Sequence, residues 1–248
     1  MKKTFFIFLI ILIYSCKKKE NDVNYERKII PDNFDFFTIA EKNNYLKSLS
    51  DSISNLNNDS LKIKYLFDIS NQSYYLKNYK LSIITSKNAY STSLIIKDSL
   101  NIGRALYYIG DCYLDYQKDS AYYYYKESEK IFRKINNHDR LAKVLYNKAY
   151  LLYYEGNYVE SEIEVIKALN HLKNGKNLLY IYRSYSLQGS NHLELEEYNK
   201  AIEYFDLSAS TLKQMVKNNQ EKDAFYDYEI ANTVDLCNAY DKKGEYIK

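Results

Sequence analysis

The sequence predicts an all-α chain built as a solenoid of antiparallel helix pairs. Three observations carry this. First, the 248 residues include only six glycines and one proline, and turn-rich β sandwiches and barrels need those punctuators at their connections. Second, 46% of the residues are hydrophobic and 27% charged, too apolar a balance for a disordered chain. Third, small residues recur in register from about Leu61 to the last residue, with a period of roughly 40 residues, the signature of stacked repeats. Thirty residues are tyrosine and none is tryptophan. With the abundant Lys, Asn and Ile, this fits an AT-rich coding sequence as well as any selected property.

The N-terminus reads as an address. Lys2 and Lys3 precede an apolar run from Phe5 to Tyr14, long enough for a secretory signal and too short to span a bilayer. Ile13-Tyr14-Ser15-Cys16 resembles the lipobox of bacterial lipoproteins. The resemblance implies cleavage of a signal peptide over 1–15 and acylation of Cys16. The lipid bilayer then becomes a partner and the bacterial cell envelope the expected location, since several acyl chains anchor stably where one is marginal. Lys17 to Asp22, continuing to Pro31, are polar and aperiodic, so 16–32 is expected to be a flexible tether. Phe34, Phe37, Ala40, Leu46, Leu49 and Ile53 share one face at helical spacing, which predicts a capping helix over 33–54.

Residues 55–248 carry the repeats, about five with the last incomplete. Counting position 1 at Ile63, Gly103, Ala142, Tyr182 and Ile230 places Ser70, Gly110, Ala149, Gly189 and Cys237 at position 8. Position 17 is Tyr79, Tyr158, Tyr198 and Tyr246; position 20 is Ser82, Ala121, Ser161 and Ala201; position 27 is Ala89, Ser128, Ala168 and Ser208. The second repeat is one residue short at Gln117 to Ala121 and lacks the tyrosine. Small residues at 8, 20 and 27 let two helices pack closely, and each pair must stack on the next to bury its apolar face. Asp59, Asp98 and Asp139 are expected helix caps, and Gly156 and Gly244 are expected helix ends. The long period implies helices about a turn longer, or longer connections, and the polar stretch Lys217 to Lys222 predicts a loop. This pattern resembles the tetratricopeptide repeat family, which implies a right-handed α-solenoid whose first helices line a concave face. The chain stops where the second helix of repeat five is expected, which reads as a fragment of a longer protein or as a terminal half-repeat acting as cap.

No catalytic site is expected. His138, His171 and His192 are scattered, Cys112 and Cys237 read as small buried packers, and Glu196-Glu197 diverge as helix neighbours. No phosphate loop, hydrolase elbow, zinc or cofactor motif is present. Thirty-five basic residues against 32 acidic ones are too balanced to argue for nucleic acid. The resemblance implies that positions 2, 5, 9, 12 and 13 face the groove. Position 2 is Lys64, Arg104, Lys143 and Arg183, a basic row, and beside it lie Tyr107, Tyr146, Tyr150 and Tyr153. Such a strip suits a peptide or protein partner carrying acidic groups. The expected function is a non-enzymatic, membrane-tethered interaction scaffold. The rivals are the sensory region of a longer histidine kinase or transcriptional regulator and a glycan-uptake lipoprotein, the latter disfavoured by the lack of tryptophan.

Overall fold

The computed structural model describes residues 29–173, 177–218 and 225–244. The expected signal peptide, Cys16, most of the tether and Tyr246 lie outside the described residues. The chain divides into two compact units, residues 1–34 and 35–248. In the first, the Phe34 amide donates to the Pro31 carbonyl at 3.0 Å. A 3₁₀ turn, Phe34–Phe36, precedes helix α1, Ile39–Ser54. The single helix expected over 33–54 is thus broken. The break has a local cause: Thr38 Oγ1 accepts from the Glu41 amide, and Glu41 Oε2 accepts from the Thr38 amide. This reciprocal cap fixes the helix start.

The second unit continues as α2 Ser60–Tyr75, α3 Tyr79–Ile95, α4 Ser99–Tyr113, α5 Lys118–Lys134, α6 His138–Tyr154, α7 Tyr158–His171, α8 Leu178–Glu194, α9 Tyr198–Lys217 and α10 Phe225–Lys243. Each helix packs on the next, and α2 also touches α4, α6 touches α8, and α8 touches α10. The first helices of successive repeats therefore lie side by side. The fold is an all-α helical-repeat solenoid of antiparallel pairs. The long period comes from helix length: α6 and α8 have 17 residues each and α9 has 20. Lys217, expected in a loop, is the last residue of α9; residues 219–224 lie outside the described residues.

The small positions are closed contacts. Ser82, Ala121, Ser161 and Ala201, like Ala89, Ser128, Ala168 and Ser208, are buried. Where position 8 is glycine, an aromatic ring fills the place of the missing side chain. A Cβ on Gly110 would stand 2.7 Å from the Tyr125 ring, and one on Gly189 2.5 Å from Phe205. Cys237 departs from the expectation and is exposed. Position 8 faces the second helix of its own repeat, and among the described residues none covers that side of α10. The side facing α9 is covered: Ala239 packs with Ala201 and Phe205.

Most connections use one device. The residue after the C-cap takes positive φ and the next one is the N-cap residue of the following helix, with a side-chain capping bond at Asn78, Asp98 and Asn137. Lys77 has φ 57°, Lys97 59°, Asn136 53°, Glu196 61° and Gly156 79°. The Lys77 amide donates to Tyr74 O at 2.8 Å and Asn78 to Ser73 O at 2.8 Å, a Schellman pair. Asn78 then accepts from the Leu81 amide. Asp59 and Asp98 cap their helices as expected. Asp139 does not: Asn137 accepts from the Arg140 amide, and Asp139 sits in the first turn of α6. Glu196 and Glu197 occupy the turn before α9 and are not helix neighbours.

Candidate functional site

The first helices α2, α4, α6 and α8 line an open cavity of about 540 Å³. Helical spacing explains which residues reach it. Arg140, Lys143, Tyr146, Asn147 and Tyr150 line it from one stripe of α6, Tyr107 and Asp111 from α4, and Tyr180 and Arg183 from α8. Ser70, Asn71 and Tyr74 close the α2 end.

Of the predicted groove residues, Tyr107, Lys143, Tyr146, Tyr150 and Arg183 come together here. The other three do not line the cavity. The Arg104 guanidinium lies 4.3 Å over the Phe67 ring and donates to Asn101 Oδ1 at 2.8 Å, in a side recess shared with Arg140 and Lys143. Tyr153 packs on the Tyr158 ring at 5.5 Å and against the core around Ala149, Val165 and Leu187. Lys64 is half-buried elsewhere on α2 and has interactions of its own.

A hydrogen-bond network forms the floor, joining Asp111 and Tyr107, at groove-facing positions 9 and 5 of the repeat, to Tyr125 and Asn147, which the pattern did not single out. Tyr125 of α5 donates to Asp111 Oδ1 at 2.6 Å, and Asn147 Nδ2 donates to the same oxygen at 2.9 Å and to the Tyr107 hydroxyl at 3.0 Å. The Tyr107 and Tyr180 hydroxyls meet at 3.3 Å, joining α4 to α8 across α6. Asp111 is partly exposed and lines the cavity. Burial pushes its carboxyl up to about 7, against the opposing hydrogen bonds of Tyr125, Asn147 and Tyr107 and the charge of Lys143. Burial likewise holds Tyr107 and Tyr146 well above the usual phenol range. Lys143 is held below the usual lysine value by burial, with Arg140 and Arg183 adding repulsion. Its ammonium lies 4.9 Å from the Tyr180 ring centre. Asp111 and Asn147 fall on the same helix faces as Tyr107 and Lys143. Their spacing was therefore the available signal, but their pairing with Tyr125 needed the fold.

The histidines are less scattered than expected. His138 Nδ1 and His171 Nδ1 stand 2.9 Å apart, bringing the start of α6 to the end of α7. His192 is buried, bonded through Nδ1 to Glu197 at 2.6 Å and stacked on Tyr204. Among the described residues, no group of three or more metal-ligating side chains converges. The Cys112 thiol is buried, raised to about 11, and bonded to Ser82.

No known family profile and no curated protein matches the chain. Solved structures do. BtubC from P. vanneervenii superposes with a TM-score of 0.72 at 12% identity, covering 85% of this chain and 86% of that one. A Rap protein complexed with Competence and Sporulation Factor gives 0.63 at 16% identity, covering 98% of this chain and 67% of its own. A signal-transduction ATPase with a tetratricopeptide repeat sensor, from Pyrococcus horikoshii, gives 0.65 at 18% identity; 86% of this chain spans 32% of that one. At these identities the likeness is one of fold, and that fold is a helical-repeat solenoid of the tetratricopeptide type.

Proposed function

We propose that the chain is a protein-interaction scaffold that receives a peptide or protein segment in its concave cavity. The carrying observation is the cavity itself. About 540 Å³ of space, walled by tyrosines and edged by three cations, falls in the size range of ligand sites. Tyrosine supplies rigid contact area with a polar tip, and the cations steer acidic groups. The Rap protein seen with its factor supports a binding role for such a stack. The lipobox-like segment ending at Cys16 supports a lipid-anchored location in a bacterial envelope. On this reading the chain performs no chemistry of its own.

The structure changes which residues test the groove. Peptides selected on the unmodified protein are expected to lose affinity at least tenfold with Lys143→Glu and Arg183→Glu, measured by fluorescence anisotropy. Lys64→Glu, off the cavity, should bind within about twofold of the unmodified protein. Equal binding by all three variants would sink the groove reading. Cys16→Ser should release the protein from membranes on fractionation; unchanged retention refutes acylation. The repeat sensor of the signal-transduction ATPase favours a second reading, in which the solenoid senses a ligand for an attached effector. Sequencing the gene past codon 248 distinguishes the two: an effector domain in frame supports the sensor, and an immediate stop supports the adaptor.

A further inference from the structure

Four cations on the concave face are unusual in what they lack. Among the described residues, Arg104, Arg140, Lys143 and Arg183 take part in none of the ion pairs, which lie elsewhere in the molecule. Arg104 Nε is buried without a hydrogen-bond partner. Arg140, Lys143 and Arg183 line one cavity, and Arg104 joins Arg140 and Lys143 in the recess beside it. The carboxylate lining that cavity is Asp111. Cations grouped in a partly dry space repel one another, and the space is completed by negative charge. Asp139, one turn before Lys143 and outside the lining, draws on that lysine, and Asp111 supplies one charge inside the cavity, but its Oδ1 already accepts from Tyr125 and Asn147.

We propose that this cavity is a proton-coupled anion site: a carboxylate or phosphate group of the ligand docks among Arg140, Lys143 and Arg183, and Asp111 takes up a proton as it does so. This rests on the concave face being the binding face and adds the chemistry of what enters it. An incoming anion and an ionised Asp111 are like charges in one cavity, so each disfavours the other. Protonating Asp111 removes the repulsion and keeps the floor intact, since its oxygen can still accept. The charged and titratable groups facing Asp111 are Tyr74 on α2, Tyr107 and Cys112 on α4, Tyr125 on α5, Lys143 on α6 and Tyr180 on α8. Burial raises the four tyrosines and the thiol, so they stay neutral near pH 7, which leaves Asp111 as the group that changes charge there.

The test is calorimetric titration of the full chain in non-ionic detergent with sulfate and, separately, with acetate. Neither probe changes its own charge appreciably between pH 6 and pH 8. If only the protonated site binds, affinity is about tenfold tighter at pH 6 than at pH 8. Asp111→Asn should bind with the tighter constant at both pH values. Lys143→Gln combined with Arg183→Gln should abolish saturable binding, and the charge-conserving Lys143→Arg should retain it, with circular dichroism confirming that every variant is folded. Preference for sulfate identifies a phosphate-type ligand, and preference for acetate a carboxylate. Absence of saturable binding, a pH dependence that survives in Asp111→Asn, or binding that survives in the folded double variant each overturns the proposal. Peptide capture that depends on the groove while neither anion binds would reject this site alone and leave the scaffold reading standing.

Discussion

Gly110 and Gly189 show how one missing side chain sets a helix contact. Each lies under an aromatic ring, Tyr125 or Phe205, at a distance no ordinary Cβ tolerates. Gly110→Ala is expected to lower stability by about 1–3 kcal/mol, the usual cost of overpacking, although alanine favours helix; thermal unfolding measures it. The same substitution displaces the ring that bonds Asp111, so it should also disturb the cavity floor. Asp111 makes a second prediction. Its carboxyl is raised in the folded state to about 7, above the unfolded value of about 3.9. A raised carboxyl contributes stability that is fully present below the unfolded value and lost as pH rises through the folded one. The unfolding temperature of Asp111→Asn relative to the unmodified chain should therefore climb between pH 4 and pH 7, and then level off. A constant difference would show that burial does not shift this group.

At the scale of the element, helix ends explain how the chain turns so often with so few glycines. The left-handed position after the C-cap is held by Gly156 in one connection but by Lys77, Lys97, Asn136 and Glu196 in others. Those side chains are tolerated because the Schellman bonds of the neighbouring amides hold the backbone there. Residues other than glycine or asparagine are strained in that conformation by roughly 1 kcal/mol. Lys77→Gly and Glu196→Gly should therefore each raise stability slightly, by up to about 0.6 kcal/mol once the extra freedom of the unfolded glycine is subtracted. A fall in melting temperature for both would mean that the Lys77 and Glu196 side chains make contacts worth more than the strain. The second repeat lacks this device. Helix α4 ends early, and the Tyr116 and Gln117 amides both donate to Tyr113 O, so the one-residue shortening seen in the sequence is absorbed at that turn.

Across the molecule, a buried lysine ties the repeats together. Lys148 Nζ of α6 bonds Glu129 of α5 at 2.7 Å and Glu164 of α7 at 3.2 Å, with all three side chains at most 14% exposed. It thereby links the second helix of one repeat to both helices of the next. Removing it leaves Glu129 to Arg133 and Glu164 to Lys167 alone, pairs within single helices that no longer bridge the repeats. Lys148→Met should cost about 2 kcal/mol and weaken coupling between the repeats, which urea unfolding followed by fluorescence would report as a broadened transition. An unchanged midpoint and slope would show that apolar stacking alone carries the coupling. The cavity belongs to the same scale, because four repeats supply its walls.

By itself, the sequence determined the helix pairs, their register and the close contacts, because these rest on local spacing: small residues at 8, 20 and 27, and caps such as Asp59 and Asp98. The resemblance to the repeat family, laid over that register, placed Lys64, Arg104, Tyr107, Lys143, Tyr146, Tyr150, Tyr153 and Arg183 toward a groove face. Only the tertiary structure decided which members of that face meet. Tertiary packing brings Tyr107 to Tyr180 across an intervening helix. Stacking lays Arg104 over Phe67 and Tyr153 against the core. The burial of Asp111, its bond to Tyr125 and the exposure of Cys237 likewise depend on which neighbouring helix is present, and distances between helices far apart in the chain are not encoded in any local repeat.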